Sequence, residues 1–179
     1  MTYKIQLQDA QKGYTYDQDK IMSPQETVAK FKEKSAKLNL DILSQTRRID
    51  NGRLDIPVFF SECGTDAKSV IGTNKQMGKG GTPEQSEASA VMELAERYSF
   101  FSFVKNESHF FESTPGELGD NAFDFDQIIK SVHDDREDAL KVKPIFDKLP
   151  LKWTKAYNLT TRQEALVPFN WFYMINEFN

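Results

Sequence analysis

The sequence predicts an α/β domain of the α+β kind, a mixed sheet flanked by helices, and three observations carry that prediction. Two helix N-terminal signatures open at Ser23 and Thr82, β-branched and aromatic runs bracket a turn signal at Asp50-Asn51-Gly52, and the composition can furnish a core. That composition is 39% hydrophobic and 12% aromatic, with 14 Phe, while a mean hydropathy of -0.60 marks a wet surface. At 179 residues the chain suits one domain of ordinary size, or one with a small annex.

Taken in order, Met1 to Asp19 is polar with scattered Tyr and reads as an extended lead-in. Ser23-Pro24-Gln25-Glu26 opens the first helix: Ser can cap, Pro tolerates the first helical position, and Glu three residues after the cap can reach back. The helix runs to about Leu38, with Val28, Phe31, Ala36 and Leu38 as a buried stripe among lysines. Leu40 to Ile49 and Asp55 to Glu62 read as two strands joined by a hairpin-like turn. Pro57 cannot donate to a ladder and so marks a strand start or edge. Lys68 to Thr73 reads as a third strand. Gly78-Lys79-Gly80-Gly81 is a glycine turn that runs into a capping signature at Thr82, Pro83 and Gln85, and a long helix follows from about Pro83 to Val104. Asn106 to Ala122, rich in Ser, Pro, Gly and Asp, reads as a loop. Phe125 to Leu140 reads as a charged helix, and Lys152 to Tyr157 and Ala165 to Phe169 as two further strands. From Val167 to Phe178 the chain concentrates apolar surface where a finished domain usually frays into polar residues. The expectation is a cut inside a larger protein, with Trp171, Phe172, Tyr173, Met174 and Ile175 exposed in the isolated chain and driving its dimerisation or aggregation.

Charge and composition exclude several classes of function. With 23 basic against 27 acidic residues, a net charge of -4 and a pI near 5.3, the chain offers no basic field for nucleic acid or an anionic membrane. One Cys and two His exclude an internal disulfide and a tetrahedral N/S zinc site, so any metal must be held by oxygen. No stretch approaches the roughly 18 apolar residues of a membrane span, and the start lacks a secretory signal, so the expected compartment is the cytosol.

On a wheel of roughly 100° per residue, the long helix puts Ala88, Ala90, Val91, Leu94, Ala95, Tyr98 and Phe101 on a core side. Ser86, Ser89, Glu93, Glu96 and Arg97 fall in a narrow arc opposite. Two carboxylates three residues apart repel, and a water-poor cleft would need a cation between them. Mg²⁺ suits the arrangement, because it takes oxygen ligands and commonly uses one or two carboxylates plus substrate phosphates. A solvated polar face with Arg97 as the partner is the simpler reading of the same residues. The glycine turn ahead of the helix, with Lys79 in it, can likewise be an anion cradle at a helix N-terminus or a tight strand-to-helix turn. It is not a Walker A loop.

As one string, Gly78-Lys-Gly-Gly-Thr-Pro-Glu-Gln-Ser-Glu-Ala-Ser-Ala-Val-Met-Glu-Leu-Ala-Glu-Arg-Tyr98 resembles the signature of the YcaO family, a Gly-Lys-Gly turn followed by Ser-Ala-x-x-Glu-x-x-Glu-Arg. Ser23 to Phe31 and Ile56 to Phe59 also look like that family's opening helix and strand, so the resemblance spans about Lys20 to Phe103. It implies an ATP- and Mg²⁺-dependent enzyme that phosphorylates the oxygen of a peptide or protein backbone amide, after which a nucleophile adds at the carbonyl carbon. In azoline-forming members the nucleophile is a neighbouring Cys, Ser or Thr of the substrate. Thioamide-forming members use a sulfide source and often a partner protein, and a third group is associated with methylthiolation of a ribosomal protein. Carried over, Glu93 and Glu96 would ligate Mg²⁺, Ser89 would lie beside the nucleotide, and Lys20 and Thr27 would be the nucleotide-contacting Lys and hydroxyl, with Lys79 and Arg97 of the motif counted among the ATP-binding residues. The family has a second acidic helix forming the opposite wall of the site. The chain stops at Asn179, about where that helix should begin, so the resemblance implies an incomplete YcaO-type domain, an N-terminal part expected to be inactive alone.

A rival from another class is a non-catalytic module that holds a peptide or partner on a sheet edge by strand addition. Cys63 reads as a buried or incidental thiol, His109 and His133 as surface histidines, and Asp134 to Asp138 as a solvated helix face.

Overall fold

The computed structural model describes residues 6–13, 20–127 and 141–172. The chain divides into two compact units, one spanning Gln8–Lys105 and the other built from Asn106 onward. The α+β class expected from the sequence is the one observed. Its strands are distributed over two three-stranded antiparallel sheets, with parallel pairing confined, among the described residues, to an isolated bridge between Ala122 and Leu166.

In the first unit, residues 8–13 carry no regular secondary structure. Helix α1, Pro24–Lys37, starts as its sequence dictates: Ser23 Oγ accepts from Glu26 N–H at 3.2 Å and Glu26 Oε2 accepts from Ser23 N–H at 2.9 Å. The Ser23 hydroxyl, which donates to the same carboxylate at 2.7 Å, and then the Ser23 N–H hold the Glu26 carboxyl below its ordinary range. Strands β1 (Leu43–Arg48) and β2 (Val58–Cys63) pair antiparallel, and β2 begins directly after Pro57. Their connection is tied by Asp50, whose carboxylate takes two bonds from Arg48, at 2.7 and 2.9 Å, and one from Val58 N–H at 3.0 Å. The Arg48 guanidinium, then the Val58 amide, hold this carboxyl far below the usual carboxylate range.

The expected strand at Lys68 to Thr73 is instead the end of helix α2, Thr65–Ile71. Its N-cap, Gly64, has no side chain to offer, and Asp41 acts in its place by accepting from Thr65 N–H at 2.8 Å. Gly72, at φ +75°, terminates the helix in the left-handed region that glycine favours. The third strand, β3, is Lys75–Lys79, so Gly78 and Lys79 belong to a strand and the turn begins at Gly80. Helix α3 then spans Pro83–Val104. Ile42, Cys63, Ala67 and Leu94 form the buried core of this unit, with Phe31, Ile71 and Tyr98 packed around them.

The second unit replaces the expected loop with structure. Glu107–His109 is a 3-10 turn, Phe110–Ser113 is strand β4, and Pro115–Leu118 is a one-turn helix, α4, with a capping box between Thr114 and Glu117. Residues 125–127 are helical, in keeping with a helix opening at Phe125; the rest of that expected helix, with His133 and the acidic run, lies outside the described residues. After a short helix α5, Lys143–Phe146, come strands β5 (Leu151–Asn158) and β6 (Gln163–Pro168), in sheet order β4-β5-β6. Trp153 on the central strand is fully buried and donates from Nε1 to Ser113 O at 2.9 Å. His109 is half-buried with its Nε2 3.1 Å from Asn106 Nδ2, which fits a structural role at the head of β4. Helix α6, Phe169–Phe172, adds rings to this unit: Phe169 stands 4.7 Å from Phe110 and 5.4 Å from Phe172, and Trp171 lies 4.7 Å from Phe123. Trp171 and Phe172 therefore have intramolecular partners, while Trp171 is exposed, as expected, at 40%. Tyr173, Met174 and Ile175 lie outside the described residues.

Candidate functional site

One face of α3 is seated on the sheet by small residues. A Cβ at Gly78 would fall on the backbone of Ala90, so strand and helix meet with no side chain between them. Ser61 Oγ donates to Ala90 O at 2.7 Å. Ser86 Oγ lies 2.9 Å from Pro57 O and 3.0 Å from Gly78 O, and is fully buried. This corrects the wheel, which grouped Ser86 with Ser89: the missing side chain at Gly78 leaves its own carbonyl on β3 and the Pro57 carbonyl just ahead of β2 within reach of the Ser86 hydroxyl, which turns inward.

The opposite face of α3 lines a cleft of about 940 Å³ together with the approach to α1 and the end of β3. Lys20, Thr27, Lys79, Ser89, Glu93 and Glu96 all border it. Arg97 does not, and instead donates from Nε to Glu93 Oε1 at 2.9 Å. Thr27 Oγ1 donates to Ser23 O at 2.9 Å, so its lone pairs, rather than its proton, are open to a ligand. Lys79 stands opposite Val58 in the ladder, one residue from Gly78, and strand alternation assigns it to the sheet face that α3 does not cover; it reaches the cleft only from the end of β3.

Several lining residues escape sequence reasoning. Ala88 and Ala95, counted with the core by hydropathy, border the cleft, as do Met22, Met92 and Ser99. The signal for Met92 and Ser99 was helical spacing from Ser89 and Glu96, masked because a methionine reads as core. The glycine turn is closed on itself: Gly81 N–H donates to Gln85 Oε1 at 2.9 Å, Gln85 N–H to Thr82 Oγ1 at 3.2 Å, and Ser86 N–H to Thr82 O at 3.0 Å. With these donors engaged, the tight strand-to-helix turn describes the loop better than the anion cradle.

The donor set suits a hard cation and a polyanion. Two carboxylates, three hydroxyls and two ammonium groups surround an open space, and no group of three His, Cys, Asp or Glu that could hold a metal alone occurs among the described residues. A donor set of this kind is compatible with Mg²⁺ whose remaining ligands are phosphates and water. Cys63 stands apart, fully buried in the core, and burial pushes its thiol pKa up. No described helix is long and apolar enough to cross a membrane.

A family model described as YcaO cyclodehydratase, ATP- and Mg²⁺-binding, matches residues 77–179. The match takes in the string from Gly78 to Tyr98 and does not reach the opening helix, so Lys20 and Thr27 join the site through the cleft geometry. An uncharacterized protein of Methanothermobacter thermautotrophicus is 30% identical over 147 residues, covering 82% of this chain and 33% of that protein. Among solved structures, a heterocyclase in complex with substrate and cofactor aligns over 93% of this chain and 24% of its own, at TM-score 0.57 and 20% identity. YcaO from Methanopyrus kandleri bound with AMPPCP and Mg²⁺ aligns over 83% of this chain and 32% of its own, at TM-score 0.51 and 20% identity. At that identity the likeness is one of fold, and the chain spans about a quarter to a third of the length of these relatives.

Proposed function

The chain belongs to the YcaO family, and from that premise we propose that it contributes one wall of the nucleotide site of an ATP- and Mg²⁺-dependent enzyme that activates a backbone amide of a peptide or protein. The observation that carries the reading is the convergence on one cleft of Lys20, Thr27, Lys79, Ser89, Glu93 and Glu96. When bound, ATP supplies the phosphoryl group that makes an amide oxygen a leaving group, with Mg²⁺ neutralising its phosphates. Glu93 and Glu96 would hold the cation through carboxylate oxygens, and Lys20 and Lys79 would offset phosphate charge from the cleft's other borders. Ser89 and Thr27 would orient the nucleotide by hydrogen bonds, and Met22 and Met92 offer an apolar, polarisable wall for its base.

The nucleophile does not come from this chain's cysteine, which is enclosed in the core. A substrate Cys, Ser or Thr side chain, giving an azoline, is therefore the first reading, supported by the heterocyclase among the structural neighbours. A sulfide source with a partner protein, giving a thioamide, and an accessory role in ribosomal-protein methylthiolation are the other reactions the family resemblance suggests. The rival, strand addition of a peptide without catalysis, draws on the edge strands β1, β3, β4 and β6.

Nucleotide turnover by the full-length protein separates enzyme from binding module. Glu96→Gln should remove most of it, on the order of a hundredfold, because it deletes a charge at the cation and no apolar contact. An unchanged rate in a folded Glu96→Gln protein would overturn the assignment of the acidic pair.

A further inference from the structure

The two carboxylates of the cleft are not equivalent, and the difference lies one helical turn away. Glu93 is tied through Oε1 to Arg97 Nε at 2.9 Å, with both side chains about one-third exposed, at 33% and 31%. Glu96 forms no ion pair among the described residues. Glu93 lines the cleft and Arg97 does not. An i, i+4 pair of this kind is worth little for stability on a solvated helix face. A guanidinium, however, is planar with its Nε–H fixed in that plane, so it restrains the rotation of the carboxylate it holds, which a lysine ammonium on freely turning bonds does not.

Resting on the nucleotide-site reading, we propose that Arg97 is a positioning residue: it holds the Glu93 carboxylate by Oε1 and so presents Oε2 to Mg²⁺ in a fixed orientation, while Glu96 remains the adjustable ligand. Arg97 thereby acts through Glu93 and touches neither nucleotide nor cation. Its charge also lets two carboxylates three residues apart stand together before the cation arrives. Partners that fix a metal-ligating side chain typically change metal affinity ten- to a hundredfold when removed.

The test is calorimetric titration of Mg²⁺ into the full-length protein with AMPPCP present, for the unsubstituted protein, Arg97→Gln, Arg97→Lys, Glu93→Gln and the double variant Arg97→Gln/Glu93→Gln. Arg97→Gln should weaken the Mg²⁺ midpoint about ten- to a hundredfold, with melting temperature and AMPPCP binding in EDTA unchanged. Arg97→Lys should recover only part of the loss, and in the Glu93→Gln background Arg97→Gln should cost nothing more. An unchanged or tighter Mg²⁺ midpoint in Arg97→Gln overturns the proposal, as does full recovery by Lys, an equal loss in the Glu93→Gln background, or weakened binding in EDTA. If the unsubstituted protein shows no Mg²⁺-dependent AMPPCP binding, the nucleotide-site reading falls and this proposal with it; normal binding there with an unaffected Arg97→Gln removes this proposal alone.

Discussion

The unit Gln8–Lys105 and the unit from Asn106 onward solve the packing problem in opposite ways. In the first, the 22-residue helix α3 is laid on its sheet through Gly78, Ser61, Ser86 and Ala90, with backbone against backbone and hydroxyls on carbonyls. In the second, the named helices are four residues each, and aromatic rings do the filling: Trp153 at the centre, Phe110 on Phe169, Phe125 on Phe146 at 4.8 Å, and Lys152 over the Phe110 ring at 5.5 Å. Rings bury area and tolerate small displacements, whereas a glycine contact fixes distance. Carboxylates proposed to meet a cation would need the second property, and Glu93 and Glu96 lie on the helix that has it.

The largest effect expected of a single change tests the aromatic unit. Trp153→Ala should destabilise it by about 3–5 kcal/mol, since it empties a fully buried site and orphans the Ser113 carbonyl, read as a lowered calorimetric melting transition. A loss under 1 kcal/mol would mean that the rings there are interchangeable filler. Next comes Gly78→Ala, which forces a methyl group into the Ala90 backbone and should cost about 1–3 kcal/mol, with weakened nucleotide binding as α3 lifts. Full stability and full binding in that variant would show that the close approach does not fix the helix. The smallest effect concerns acid. Among the described residues, Glu26, Asp41, Asp50 and Glu84 in the first unit have carboxyls held below their ordinary values by hydrogen bonds, against Glu117 in the second. A depressed carboxyl stabilises the fold above its unfolded pKa, about 4, and that contribution is lost as pH falls through the depressed value. Between pH 5 and 2, amide protection factors should therefore fall in the first unit more than in the second. Asp50→Asn should blunt that difference, and an equal fall in both units would contradict it.

Legibility in the sequence follows the same division. Caps are local, so Ser23-Pro24-x-Glu26 and Thr82-Pro83-x-Gln85 place α1 and α3 to within a residue. Helix α2 is misread because its N-terminal partner is Asp41, 24 residues away, while its own Val70-Ile71 speaks for a strand. Strand β4 exists through pairing with β5 across some 40 residues, which polar composition between Asn106 and Ala122 hides. Thr114-Pro115-Gly116-Glu117 did carry a capping box in plain sight. At the site, period and spacing suffice for Ser89, Glu93 and Glu96 on one face. They could not separate Ser86 or recruit Met22 and Ala88, because those depend on which side of α3 the sheet occupies.

The contact at Gly78 also decides where the cleft can adjust. With Ala90 resting on the strand and Ser86 bridging to the Gly78 and Pro57 carbonyls, the contacts oppose rolling or sliding of α3. Its acidic wall behaves as a datum, indexed to the sheet like a stop on a rail. The facing border starts at Lys20, Ile21 and Met22, irregular chain that gains helical order only beyond the Ser23 cap. Within this unit, a guest of slightly different girth would be accommodated by that approach segment, and substitutions at Ile21 or Met22 should alter which guest fits without moving the carboxylates at all.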